Sequence, residues 1–228
     1  MRQFTRAFVG AGLALLSLLV WGPVAMADDT VCTGTIGKET VDNLIVPNGR
    51  SCTLNGTRVE GNIIISTGAT LTAKGVDVDG NVQAEGARSV RVLVLGGARS
   101  FVGGGVQIEQ GGSARIDRVD IDGDLQLFQN QEFLRVTGND VGGNLQANQN
   151  TGGLNIANNI IAENLQCAAN NPPPTGGGNT AGDFDPFHWA TALFLTRTGN
   201  PSGLVMAPLP ANRPSLLGRR RRGTLSKV

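Results

Sequence analysis

Apolar side chains in this chain recur in pairs two residues apart, and the pairs themselves recur about every 20 residues. With the first residue of the recurring G-N-[IVL] triplet and its variants as origin, equivalent positions are Gly61, Gly80, Gly104, Gly123, Gly143 and Glu163, spaced by 19, 24, 19, 20 and 20 residues. Two before the origin stand Val59, Val78, Val102, Ile121, Val141 and Ile161. Two after it stand Ile63, Val82, Val106, Leu125, Leu145 and Leu165, and four after it Ile65, Ala84, Ile108, Leu127, Ala147 and Cys167. Nine before it are Cys52, Leu71, Leu95, Ala114, Leu134 and Leu154, and seven before it Leu54, Ala73, Gly97, Ile116, Val136 and Ile156. A period of two with one apolar side is the signature of a half-buried strand.

Each copy therefore reads as strand, turn, strand, turn. Gly56, Gly75, Gly138 and Asn158 lie five before the origin, and Gly68, Gly111, Asn130, Asn150 and Asn170 seven after it; Gly and Asn accept left-handed backbone at little cost. One copy cannot bury its own apolar side, so copies must stack into a solenoid. The expected fold is all-β: residues 42 to 171 form a single-stranded, right-handed parallel β-helix of about six to seven coils, rising about 4.8 Å per coil. Leu44 and Val46, 19 residues before Ile63 and Ile65, add a partial copy. The spacing of 24 in the third copy implies an insertion of about five residues around Val90 to Leu95, as a bulge or a side loop.

The period bears on the cysteines. Cys32 and Cys52 are 20 residues apart, which predicts stacked alpha carbons at about the rung spacing, inside the usual disulfide window of about 4.4 to 6.8 Å. The expected Cys32–Cys52 bond closes an N-terminal cap, and Cys167 points into the core. Disulfides fit the start of the chain, where Arg2 and Arg6 precede an apolar run from Ala11 to Trp21 and small residues surround Ala27. This reads as a signal peptide over residues 1–27, too short in its apolar part to anchor in a bilayer. The mature protein is then secreted or extracytoplasmic, with no transmembrane span after cleavage.

Composition refines this division. Of 228 residues 33 are Gly and none Tyr, and charged residues make up 16%, as expected of a turn-dense β protein. Residues 28–182, the β-helix domain with its cap, carry 10 basic and 16 acidic side chains, a net of −6; residues 183–228 carry 7 and 2, a net of +5. An acidic body repels nucleic acid, so none is expected as a partner. The Pro- and Arg-rich segment 183–228, with its Arg219 to Arg222 run, reads as a mostly disordered tail, although the apolar stretch His188 to Thr196 could cover the open solenoid end.

Candidate chemistry is sparse. Asp77, Asp79 and Asn81, and again Asp120, Asp122 and Asp124, alternate with apolar residues or Gly and point away from the core as a candidate acidic ligand face. Carboxylates two apart on a strand lie about 6.5 to 7 Å from each other, a separation suited to glycoside hydrolysis or calcium. A solvated acidic face with Arg115 and Arg118 nearby is the favoured reading. Spacings of 19 and 20 leave no long loops for an enzyme site, and the single His, His188, lies in the tail. No catalytic residue, cofactor or metal is expected. Asn130, Asn150 and Asn170, and Asn139 and Asn159, recur once per turn and suit rung-to-rung amide ladders.

The ladder of G-N-V, G-D-L and G-N-L copies resembles bactofilin-like and other bacterial right-handed β-helix repeat proteins. The GNLQ run from Gly143, the NLQC run from Asn164 to Cys167 and the PPPTGGGN block from Pro172 to Asn179 are similar to the C-terminus of an uncharacterised secreted bacterial repeat family. Together these cover about residues 30 to 182. In that family a further Cys follows the TGGGN block and would partner the position of Cys167. Here the chain continues from Phe184 without a Cys, which points to a shifted reading frame or a fusion as the origin of the tail. The resemblance supplies no catalytic residues. The expected role is that of an exported, non-catalytic structural or surface-interaction protein presenting an acidic, Asn-rich face, with self-association or cell-envelope polymer as candidate partners. The alternative is a polysaccharide-active or glycan-binding β-helix protein.

Overall fold

The computed structural model describes residues 29–183 and the strand Phe194–Arg197. The expected leader, and the tail apart from that strand, lie outside the described residues. Among those described, every regular element is a strand, and neighbouring coils pair in parallel throughout. No helix among them is long and apolar enough to cross a membrane.

Each coil contributes three strands rather than the two expected, so the solenoid has three faces. The first face stacks Asp29–Val31, Asn43–Val46, Ile63–Ile65, Val82–Glu85, Val106–Glu109, Leu125–Phe128, Leu145–Asn148 and the end of Ile160–Ala168, which makes eight rungs. The second face stacks Thr35–Ile36, Ser51–Asn55, Thr70–Lys74, Ser89–Leu93, Ser113–Asp117, Leu134–Thr137 and Leu154–Ala157. The third is narrow, with strands such as Arg58–Val59, Asp77–Val78 and Val119–Ile121. The chain bends between third and first faces at the origin glycine, which separates apolar pairs that read as one strand. There the requirement for Gly is close approach, not a left-handed backbone: a Cβ on Gly80 would sit 2.5 Å from the Gly61 carbonyl oxygen of the coil beneath. Where Glu163 replaces Gly, one strand, Ile160–Ala168, runs through the corner and joins the two faces.

The column two before the origin stacks as expected: Val59 opposite Val78, then Val102, Ile121, Val141 and Ile161. All six are buried, as are the columns at plus two and plus four, except for the half-buried Leu165. Parallel sheets are usually covered on both sides and read as continuous apolar runs; here the outer side meets water, so strict alternation survives. The third copy corrects the register. Val90 and Val92 stand opposite Leu71 and Ala73 in the core, and Leu95 and Gly97 belong to a side loop closed by an antiparallel bridge between Leu95 and Ala98.

The corner between first and second faces also differs from expectation. Gly68 is left-handed as expected, with φ of 69°, but in later coils left-handed backbone falls one residue earlier than the Asn column, at Gln110, Gln129, Gln149 and Ala169, with φ of 52° to 57°. This frees the following Asn to turn inward. The Cys32–Cys52 bond is present, with alpha carbons 5.5 Å apart. Its cysteines do not share a column, because the first coil is shorter: Asp29 stands opposite Asn43, only 14 residues on. Cys32 continues the first-face ladder by donating its N–H to Ile45 O, whereas Cys52 opens the second face, so the bond ties two faces across their corner. At the other end Gly177–Asp183 adds a rung against Ile160–Ala168, and Phe194–Arg197 pairs in parallel with it.

Candidate functional site

The five candidate carboxylates do not form one continuous patch. Asp77 and Asp120 occupy the same outward column of the third face, but Phe101 stands between them in register. Asp79 and Asp122 lie at the corner of their own coils, where the intervening residue is Gly103. Asp124 has already passed the bend and belongs to the edge of the first face, so it does not share a surface with Asp120.

Most of these groups are engaged by neighbouring coils. Arg58, opposite Asp77 one rung earlier, clamps both Asp77 (2.5 Å) and Asp79 (2.8 Å). Arg99 reaches from the side loop to Asp120 at 2.6 Å. Asp124 Oδ1 accepts the backbone N–H of Asn144 at 2.6 Å and its side-chain amide at 3.2 Å. The arginines expected beside this face serve elsewhere: Arg115 and Arg118 both approach Asp117 on the second face, at 3.0 and 3.8 Å. Arg58, 19 residues before Asp77, was within reach of the coil spacing, whereas Arg99 could not be read as a partner of Asp120 because it sits in the insertion. Asp122 is exposed, and although its N–H donates to Val102 O at 3.0 Å, its carboxylate makes no hydrogen bond or ion pair among the described residues.

Two of the recurrent Asn sets are internal. Asn130 and Asn150 are buried and line one inner corner with the half-buried Asn170; Asn139, Asn159 and Asn179 line another, fully buried. Each side-chain amide donates to the next oxygen down the stack, as from Asn130 to Asn150 (3.0 Å) and Asn139 to Asn159 (2.9 Å). A second proton satisfies a strand-end carbonyl, as from Asn150 to Leu127 O at 2.9 Å. They close the corners where the ladders break, which is what buried polar groups require. They therefore add nothing to an outward Asn-rich face.

The outward amides that recur coil after coil in register lie on the first face. Asn62, Asn81, Asn144 and Asn164 follow their origin residues, and Gln83, Gln107, Gln126, Gln146 and Gln166 form one register column in five consecutive coils. Gln126 donates to Gln146 at 3.2 Å and Gln146 to Gln166 at 3.1 Å. A shallow depression there is lined by Asn81, Gln83, Gln107, Asp124 and Gln126 among others. The sequence carried this column plainly, three residues after every origin but Gly61, yet attention to apolar positions passes over it.

Cys167 is buried opposite Ala147, and burial pushes its thiol up to about 12, so at neutral pH it carries no nucleophilic thiolate. No group of three or more His, Cys, Asp or Glu among the described residues is placed to hold a metal ion. What the outer surface offers chemically is regular hydrogen bonding and charge at fixed axial intervals. No protein-family model, curated protein or solved structure matches this chain.

Proposed function

We propose that the protein is an exported, non-catalytic scaffold that acts through contacts along a rigid rod. The observation that carries this reading is the use of the candidate carboxylates: Asp77 and Asp79 bind Arg58, Asp120 binds Arg99, and Asp124 holds the N–H of Asn144. Groups spent on fastening one coil to the next serve rigidity rather than proton transfer. Export is supported by the leader-like start of the chain and by a disulfide, which is compatible with an extracytoplasmic location. Strand edges at the rod ends make end-to-end self-association a natural extension of the same role.

A second reading is favoured by one observation. Asp120 lies on the strand Val119–Ile121 and Asp122 just past its end, two residues on, and the Asp122 carboxylate makes no hydrogen bond or ion pair among the described residues, which suits an acid and base pair on a glycoside. A screen of acidic and neutral glycans separates the two. No turnover is expected from the native chain; turnover abolished by Asp120→Asn and Asp122→Asn would replace the scaffold with an enzyme. Electron microscopy and light scattering across concentrations test assembly, and strictly monomeric rods would remove that extension.

A further inference from the structure

The outward side of the second face carries Arg91, Arg115 and Arg135 on three consecutive strands. The ladder sets Arg91 opposite Arg115 and Arg115 opposite Arg135, so the three form one column along the rod axis, about 4.8 Å apart at the backbone. All three are exposed. Like charges at this interval repel, yet the face supplies little to neutralise them. Its one carboxylate in these coils, Asp117, is held by the Thr137 hydroxyl (2.9 Å) and lies 3.0 Å from Arg115 and 3.8 Å from Arg118. Arg91 and Arg135 make no ion pair or side-chain hydrogen bond among the described residues, and Glu132, at the corner, approaches neither within bonding distance. A basic strip thus stands on a body whose net charge is −6 over residues 28–182.

We propose that this arginine column binds a linear acidic polysaccharide laid along the rod axis, one sugar carboxylate to each of Arg91, Arg115 and Arg135. The guanidinium fork suits a carboxylate in two-point contact. Beside the column Phe133, two residues before Arg135, packs one ring edge over Gly153 and remains 53% exposed, which leaves it able to take the apolar face of a sugar ring. A polymer rather than a small anion fits because the face has no enclosing cavity: each contact is weak, and strength comes from repeating it. A nucleic acid fits less well. Duplex phosphates recur about every 3.4 Å along a strand against the rung spacing of about 4.8 Å, and a single exposed aromatic gives no run of base-stacking platforms.

The inference rests on the surface-interaction reading and names its partner. The full chain is titrated with polygalacturonate, with its methyl ester, with single-stranded DNA and with isolated cell-envelope polymer. Expected are binding to polygalacturonate that weakens with salt, and losses of about tenfold or more on esterification or in an Arg91→Gln, Arg135→Gln double variant with an unchanged melting curve. Equal binding of the ester, an unaffected double variant, or tighter binding of DNA would overturn it. Binding of envelope polymer alone, the same in both proteins, would overturn the arginine column and leave the broader reading standing; binding of nothing would overturn both.

Discussion

Asn139 and Asn159 lie one coil apart inside the solenoid, where the Asn139 side-chain amide donates to Asn159 Oδ1 at 2.9 Å and to Ile116 O at 3.0 Å, while its own oxygen accepts the N–H of Val119 at 2.9 Å. One buried side chain thus satisfies two backbone groups left over at a corner. Asn139→Leu keeps the volume roughly and strands both. At about 1 to 3 kcal/mol for each unsatisfied buried group, a loss of about 3 kcal/mol is expected in urea unfolding. A variant as stable as the parent would refute the ladder's role.

Gly80→Ala should destabilise by about 1 to 3 kcal/mol, the usual range for overpacking, since the new Cβ would meet Gly61 O and the Asn62 side chain at 2.5 and 2.7 Å. Gly37 has nothing within 4 Å of the same position. Gly37→Ala should therefore be neutral or slightly stabilising. Thermal melts of both proteins check the contrast, which disappears if the origin glycines serve only chain flexibility.

Loss of the Cys32–Cys52 bond, with its sequence separation of 20, should cost about 3 kcal/mol by the chain-entropy relation. A Cys32→Ser, Cys52→Ser double variant should unfold at lower denaturant than the parent and no longer respond to reductant. Equal sensitivity to reductant in both proteins would place the structural bond elsewhere.

Cys167 should resist alkylation in the folded protein at neutral pH and react once the chain is unfolded, because burial both shields the sulfur and holds the thiol protonated up to about 12. Mass spectrometry after timed alkylation reads this directly. Fast labelling of native protein would mean that the last coil opens readily.

Asp117 gives a pH signature. Partial burial pushes its carboxyl up, but the Thr137 hydroxyl and the Arg115 and Arg118 guanidinium groups outweigh that and hold it below its ordinary 3.8. A depressed native value means the stabilisation is whole above 3.8 and is lost as pH falls through the lower folded value. Urea midpoints followed through that acid range should fall more gently in Asp117→Asn than in the parent. Parallel curves would show that Asp117 does not contribute.

Residues alone reveal the coil period and the inward columns: Val59 to Ile161 could be aligned because alternation persists within each short strand and the spacing between coils is nearly constant. They also reveal the Cys32–Cys52 pair, although the bond crosses a corner instead of joining one column, since the shortened first coil leaves no trace in the later repeat. The side loop at Leu95 and Ala98 had to wait for the structure, because Val90 and Leu95 are equally able to fill the core.

What only the tertiary structure decides is which polar residues meet. Asn130 and Asn139 turn inward, Arg58 and Arg99 take the third-face carboxylates, and Arg91, Arg115 and Arg135 fall into one exposed column. An apolar residue declares its place by being apolar, since water excludes it wherever the fold allows. A polar side chain is at home in water or in a satisfied interior, so its position follows from where the corners fall and which groups the neighbouring coil leaves open.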